Sequence, residues 1–234
     1  MKLHLMSDLH LDLLTESDRN RFFLRLKTQD LSQAQALVLA GDIASLRDDT
    51  SYIFRQALQT FCELYPRIYV ISGNHENWGT SISGADTVLQ EISKDLHQVT
   101  VLKSGVCHNI GDGLTIGGGT LWYPDCGDGI LKACWPDYRF ISDNDKIHSR
   151  HRKFLKWKKL PDIVVTHHMP TEEFVARQWK GDVYNVFFCA GLEKWLASKK
   201  QSEISKLWLF GHTHNPMDLQ SKFGFRGYSN PLGY

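Results

Sequence analysis

Short apolar runs recur along the chain, and each is followed by a polar turn. Runs of this length, bounded by turn residues, predict buried β-strands. The runs that end in chemically notable turns are Leu3–Met6, Leu37–Ala40, Ile68–Ile71, Ile163–Val165 and Leu207–Phe210.

Longer segments between these runs place apolar residues at three- and four-residue spacing, which predicts amphipathic helices. They are Asp18–Lys27, Ser51–Leu64, Thr87–Leu96, Asp145–Leu160 and Ala190–Lys199. Strand and helix alternate through the first hundred residues, which is typical of a layered βαβ core.

Further strands are predicted close together, at Val99–Leu102, Val106–Ile110, Leu114–Leu121 and Phe223–Tyr228. We therefore expect an α/β fold, with two sheets packed face to face and helices outside. No linker or repeat interrupts the pattern, so residues 1–234 are predicted to form a single domain.

Composition narrows the range of functions. The formal net charge is +1 over 234 residues, which gives no overall attraction to nucleic acid or to a membrane. The one basic run, 150–159, falls on a predicted helix, and we interpret it as a solvated face, with nucleic-acid binding as the alternative. Neither a signal-peptide core nor an apolar stretch of roughly 18 residues is present, so we expect a cytoplasmic protein without a membrane segment. The five cysteines form no Cys-x-x-Cys pair, which argues against a disulfide framework or a zinc knuckle.

The turns after the five apolar runs carry residue types that bind metals. The candidates are Asp8, His10, Asp42, Asn74, His167, His212 and His214. Carboxylates, imidazoles and an amide, with no thiolate, suit Mn²⁺, Fe²⁺, Zn²⁺ or Co²⁺, and we favour manganese. Seven ligands exceed the needs of one ion and suit two. A carboxylate in the tight Gly41-Asp42 turn is the natural bridge between them.

The order of these motifs resembles the calcineurin-like metallophosphoesterase superfamily. The matching blocks are Asp8-Leu9-His10, Gly41-Asp42, Gly73-Asn74-His75-Glu76, His167 and Gly211-His212-Thr213-His214. The resemblance implies a two-sheet sandwich flanked by helices and a phosphoester-hydrolysing enzyme with two divalent ions.

The resemblance also implies a role for each residue. Asp8, His10 and His214 would bind one ion, Asn74, His167 and His212 the other, and Asp42 both. A metal-bridging hydroxide would be the nucleophile. His75 would be the catalytic proton donor or transition-state stabiliser. The acid that orients His75 is left open among Glu76, Asp48 and Asp49. His168, next to His167, is expected to support the site or face the substrate.

The substrate is less well indicated. Ile43-Ala44-Ser45-Leu46-Arg47 follows Asp42 where protein phosphatases of the superfamily have Val-Asp-Arg-Gly, which argues against that class. Lipid-A-pathway pyrophosphatases of the superfamily carry Arg where this chain has His75, which argues against that class as well. Because no arginine that would grip a phosphate dianion is evident, we slightly favour a small-molecule phosphodiester over a phosphomonoester. A nuclease and a non-catalytic scaffold on the same fold are the alternatives.

The segment 121–140 is rich in aromatic residues, glycine and proline. Two interpretations are possible: a lid that offers aromatic faces to a nucleobase or aryl substrate, or loop aromatics that pack onto the domain. We favour packing.

Overall fold

The chain folds around two β-sheets, as seen in a computed structural model that describes residues 1–233; Tyr234, the last residue of the predicted domain, lies outside the described residues. The first sheet has four parallel strands in the order β1-β2-β3-β4. Its strands are β1 (Leu3–Met6), β2 (Ala36–Ala40), β3 (Ile68–Ile71) and β4 (Val99–Val101).

The second sheet has six strands in the order β5-β6-β7-β8-β10-β9. They are β5 (Cys107–Gly111), β6 (Leu114–Gly119), β7 (Ile163–Thr166), β8 (Leu207–Phe210), β9 (Met217–Gln220) and β10 (Arg226–Ser229). The four inner strands are parallel, and β5 and β9 pair antiparallel at the two edges.

Eight α-helices lie among residues 1–233. They are α1 (Glu16–Lys27), α2 (Ser51–Leu64), α3 (Ile82–Ser93), α4 (Gly129–Cys134), α5 (Pro136–Phe140), α6 (Lys146–Phe154), α7 (Asn185–Phe188) and α8 (Glu193–Ala197). Side-chain caps begin two of the long helices: Thr15 accepts from the Asp18 amide before α1, and Ser81 from the Gly84 amide before α3.

Strand β2 shows why the sheets stack. Val38 faces the second sheet, where it joins an apolar layer with Val165 of β7 and Leu209 of β8. Its neighbours Leu37 and Leu39 point the other way, into a cluster formed with helices α1 to α3. A strand buried on both faces needs apolar residues at every position. This explains the continuous run in the sequence.

The predicted fold class is confirmed: an α/β sandwich of two sheets flanked by helices. Most errors concern the bounds of elements. The helix predicted over Asp145–Leu160 ends at Phe154. The residues that follow form turns, and there Lys199 Nζ donates to the carbonyls of Trp157 and Lys158. Strand β9 was not predicted, since most of its residues are exposed and it has no apolar run.

The short helices α4, α5 and α7, each of four to six residues, were not predicted either. The basic run lies largely on α6, which buries Ile147, His151 and Phe154 against the core, while Arg150 pairs with Asp86 at 2.7 Å. This arrangement agrees with a solvated basic face. Within residues 1–233, no helix has the length and apolar character required to cross a membrane.

Candidate metal centre

The ends of five parallel strands bring the predicted ligands to one edge of the sandwich. Strands β1, β2 and β3 come from the first sheet, and β7 and β8 from the second. Ligand sites in α/β folds lie beyond the carboxyl ends of strands, where chain segments distant in sequence converge. The turns that follow these strands hold Asp8, His10, Asp42, Asn74, His167, His212 and His214.

The backbone at this edge is strained. Five of the seven predicted ligands have a positive φ, which is unfavourable for residues other than glycine and costs on the order of 1–3 kcal/mol each. They are Asp8 (53°), His10 (44°), Asp42 (56°), His212 (66°) and His214 (49°). Strain of this kind persists where the surrounding structure enforces it, and it concentrates at functional sites.

Glycines allow the turns to approach each other. A Cβ atom at Gly41, which has a φ of +89°, would lie 2.5 Å from His167 Nδ1 and 2.6 Å from the Gly73 amide nitrogen. A Cβ at Gly73 would likewise collide with the Asp42 carboxylate. The Gly-Asp and Gly-Asn pairs therefore serve close packing of the turns as well as ligand placement.

One group of ligand atoms comprises Asp8, His10 and His214, which lie within 4.8 Å of one another. The Nε2 atoms of His10 and His214 are 3.3 Å apart, and Asp8 Oδ1 lies 3.4 Å from His214 Nε2. Converging imidazole nitrogens beside a carboxylate oxygen are an arrangement that suits a cation.

A second group comprises Asp42, His167 and His212. His167 Nε2 lies 3.3 Å from Asp42 Oδ2 and 3.0 Å from Asn74 Oδ1. His212 Nε2 is buried and has no hydrogen-bond partner in the described part of the chain. A buried nitrogen left in this state requires an explanation, and a ligand atom is one.

Asp42 lies between the two groups. Its Oδ2 atom is 3.8 Å from His10 Nε2 and 3.3 Å from His167 Nε2, so one carboxylate faces both sets of imidazoles. The Asp42 side chain is 1% exposed. This is the position expected for a bridging carboxylate.

The electrostatics at three of the predicted ligands, Asp42, His10 and His212, favour their metal-binding forms. Burial alone would raise the pKa of Asp42, but the adjacent His167 and His75 outweigh burial and hold the pKa well below its usual range. Burial lowers the pKa of His10 to about 4 and depresses that of His212 strongly. Both imidazoles are therefore neutral near pH 7 and offer lone pairs to a cation. His167 differs, because Asp42 overcomes its burial and raises its pKa to about 10.

Glu76 holds two of the turns together. Its buried carboxylate accepts hydrogen bonds from the backbone amides of Gly73 (2.7 Å), Asp42 (2.9 Å) and Ile43 (2.7 Å). Burial, aided by the Asp42 charge, raises the pKa of Glu76 to about 8. Its contacts make Glu76 a brace between the turns that carry Asp42 and Asn74, and not a partner for the imidazole of His75.

His75 belongs to a third group of ligand atoms, in which it lies within 4.8 Å of His10 and Asp42. Its Nε2 lies 3.9 Å from Asp42 Oδ2, its ring centroid is 4.6 Å from that of His10, and it stacks on Trp78 at 3.6 Å. Its side chain is 16% exposed and lines a cavity. The carboxylate beside His75 is thus that of Asp42. Asp49, one of the acids expected to orient it, pairs with Arg47 at 3.2 Å.

The rings of His167 and His168 lie 5.4 Å apart at an angle of 89°, and both contact the ring of His212. The ring of His168 packs near Trp122, Tyr123 and His212, and its Nδ1 lies 3.1 Å from the Thr120 carbonyl. Burial lowers the pKa of His168 to about 3. This neutral, buried ring packs behind His212 and is not among the cavity-lining residues of the described chain.

Asp137 was not identified from the sequence, yet its carboxylate binds several residues of the site. Its fully buried carboxylate accepts four side-chain hydrogen bonds: from Asn74 Nδ2 (3.0 Å), Trp78 Nε1 (2.7 Å), Tyr123 OH (3.0 Å) and Trp135 Nε1 (3.0 Å). A carboxylate only accepts, so it fixes the Asn74 amide with the nitrogen toward Asp137 and the oxygen toward His167. Nothing in the local sequence distinguishes Asp137 from other aspartates on loops.

A cavity of about 590 Å³ opens beside the predicted ligands. Its volume lies in the range of small-molecule sites. Part of its lining comes from the aromatic segment 121–140 and part from 175–188, for which the sequence analysis predicts no role. The aromatic lining residues are Trp78, Trp135, Trp179, Tyr184 and Phe188.

One part of the aromatic segment 121–140 packs onto the domain, and another part lies at the cavity. Trp122 and Tyr123 are buried in an apolar cluster with Ile147 and Phe187, as packing predicts. Trp135 instead borders the cavity.

A sequence model of the family described as calcineurin-like phosphoesterase matches residues 1–216. No curated protein matches the chain significantly.

Among solved structures, a phosphopantetheinyl hydrolase from Mycobacterium tuberculosis superimposes with a TM-score of 0.67 at 17% identity, covering 100% of this chain and 89% of that one. A 5'-nucleotidase from Candida albicans has a TM-score of 0.42 at 13% identity, with 97% and 45% covered. A dimetal phosphatase from Danio rerio has a TM-score of 0.46 at 12% identity, with 97% and 86% covered. At such identities the first similarity concerns the fold alone.

Proposed function

Because the chain belongs to the calcineurin-like phosphoesterase family and is a metal-dependent phosphoesterase, we propose that it hydrolyses small phosphodiesters with two divalent ions held at the strand ends. The observation that carries this proposal is the placement of Asp42 between two groups of ligand atoms, each spanning no more than 4.8 Å.

The residues present fit such ions. The donor set is carboxylate, imidazole and amide oxygen, and His212 Nε2 is a buried atom without a hydrogen-bond partner in the described chain. Asp8, His10 and His214 would hold one ion, Asn74, His167 and His212 the other, and Asp42 both. When bound, the ions would supply Lewis acidity and lower the pKa of water so that the nucleophile forms near neutral pH.

His75 would contribute general-acid catalysis. Its imidazole lies on the cavity side of Asp42, where its Nε2 can donate a proton to the ester oxygen that leaves phosphorus. Stacking on Trp78 and the nearby ring of His10 restrict its rotation. A fixed imidazole loses little entropy when it reaches the transition state.

The charge of the cavity supports a diester. No lysine or arginine lines it within residues 1–233. The second negative charge of a phosphomonoester would therefore have no lysine or arginine to pair with there, whereas a diester carries a single charge.

The direct test is Mn²⁺-dependent hydrolysis of bis-p-nitrophenyl phosphate and p-nitrophenyl phosphate, which release the same leaving group. We expect turnover that chelation abolishes and manganese restores, with the higher kcat/KM for the diester. Preference for the monoester would overturn the diester assignment. No hydrolysis by protein shown to contain two metal equivalents would count against the proposed activity on simple esters.

The Asp137 network leads to a further expected result. Asp137→Asn keeps the side-chain size but leaves one oxygen, in place of two, to accept from four donor groups, so the hydrogen bond that orients the Asn74 amide weakens. Loss of such a supporting contact typically costs about 10–100-fold in metal affinity or activity. We expect manganese affinity, measured by titration at buffered free metal, to fall in this range.

Asp125→Asn is the matched control, since Asp125 lies on the same segment, is half exposed and pairs with Lys132. It should bind manganese like the wild type. An Asp137→Asn protein with unchanged affinity would show that Asn74 needs no orienting partner.

A further inference from the structure

The cavity beside the metal centre has a lining of two unlike kinds. Asp42, Asn74 and His75 are polar members of its lining, and Trp135 and Trp179 are aromatic members. A phosphate group held at the strand ends therefore places its organic substituent against aromatic side chains.

Part of this aromatic wall is rigid. Trp78 and Trp135 both donate their indole N–H to Asp137, at 2.7 Å and 3.0 Å. The ring of Trp135 also stacks on Phe187, with centroids 4.7 Å apart and an interplanar angle of 18°. Rings held in this way provide a preformed surface, which reduces the entropy cost of binding.

Trp179 forms the outer part of the wall. It is 52% exposed, although its backbone is fixed: Asn185 Nδ2 donates to its carbonyl oxygen at 2.8 Å. Val183 (60% exposed) and Tyr184 (37%) lie on the same segment. Trp179 and Tyr184 line the same cavity as Asp42 and His75. Large exposed apolar side chains grouped at a cavity indicate a binding surface, and the shared cavity indicates the substrate of the metal site as the occupant.

The charges around the wall restrict the substituent. In the described residues the cavity has no lysine or arginine, and it does have an acid, Asp182. A second anionic group, such as a carboxylate or another phosphate, would meet a carboxylate and no cation.

We propose that this cavity binds an uncharged aromatic alcohol portion of the phosphoester substrate, with the ring of Trp179 as a stacking surface. This inference rests on the proposed function, because it requires the phosphate to sit at the strand ends. Stacking of an aryl group or nucleobase on the indole provides the affinity, and the lack of a lysine or arginine in the described lining disfavours a second anionic group on the substituent.

The test is calorimetric binding of non-hydrolysable phosphonates to the manganese-loaded protein. Phenylphosphonate should bind about tenfold more tightly than methylphosphonate, as expected for one aromatic stack. A 4-carboxyphenylphosphonate, which adds a second anion, should bind more weakly than phenylphosphonate. Trp179→Ala should remove most of the difference between phenyl- and methylphosphonate and leave methylphosphonate binding unchanged.

Tyr52→Ala is the matched control. Tyr52 has the same exposed fraction, 52%, but lies on α2 and lines a different cavity. It should leave the preference for phenylphosphonate intact.

The two proposals can fail separately. Equal binding of phenyl- and methylphosphonate, with hydrolysis of the p-nitrophenyl esters intact, would overturn the aromatic site and leave the proposed function standing. The aromatic site would also be overturned if these exposed residues contact a second copy of the chain. Such a contact would appear as a difference in sedimentation coefficient between the wild type and Trp179→Ala. A metal-loaded protein that neither binds the phosphonates nor hydrolyses any p-nitrophenyl ester would overturn both.

Discussion

Asp42→Ala is expected to bind fewer than two metal ions and to lose turnover by about 10³-fold or more. The carboxylate faces the imidazoles of His10 and His167 at 3.8 Å and 3.3 Å, so its removal takes a ligand from both groups at once. Metal ions supply several kcal/mol of transition-state stabilisation, and each 1.36 kcal/mol is a factor of ten in rate. Metal content by plasma spectrometry and hydrolysis of bis-p-nitrophenyl phosphate measure the two effects.

Folding must be monitored in the same experiment, because Asp42 also accepts a hydrogen bond from the His75 amide at 3.0 Å. Asp42→Asn keeps an oxygen for that amide while removing the charge, and it should fold and still lose metal. Asp49→Ala, an exposed carboxylate in the following loop, is the control and should retain both metals. Full metal content in folded Asp42→Asn would show that Asp42 does not bridge two ions.

His75→Ala is expected to lose catalysis while it keeps its metals. In our assignment His75 donates a proton and holds no ion, and general acid catalysis typically contributes about 10²–10⁴-fold. The loss should depend on the leaving group: small for p-nitrophenolate, which departs without protonation, and large for an alkyl alcohol. The measurement is kcat/KM for aryl and alkyl esters, with metal content determined on the same samples.

His97→Ala replaces an exposed histidine outside the site and should behave like the wild type. Two results would contradict the role of His75. If His75→Ala loses a metal ion, His75 is a ligand. This alternative has a structural basis, because His75 lies within 4.8 Å of His10 and Asp42. If aryl and alkyl esters lose activity equally, His75 stabilises charge on phosphorus and does not donate the proton.

The inner strands were predictable because a strand buried on both faces needs a continuous run of apolar residues. Strand β2 packs Val38 against one layer and Leu39 against another, and every residue between its ends must be apolar. The edge strand β9 shows the converse: Met217–Gln220 is mostly exposed, so its pairing with β10 leaves no trace in hydropathy. The residues after α6 were predicted to be helical, but the carbonyls of Trp157 and Lys158 instead accept from Lys199, which is distant in sequence.

The sequence by itself determined the fold class and the family, and it supplied the residues predicted as ligands. It could do so because parallel strands place their carboxyl ends on one edge, so the residues that follow apolar runs must converge there. The tertiary structure decided what surrounds them. Only folding shows that Glu76 accepts hydrogen bonds from three backbone amides, that Asp137 joins Asn74 to Trp78, and that Trp179 lines the same cavity as Asp42 and His75. These contacts link loops whose positions depend on packing and hydrogen bonding between distant segments, which no local pattern of hydrophobic and polar residues encodes.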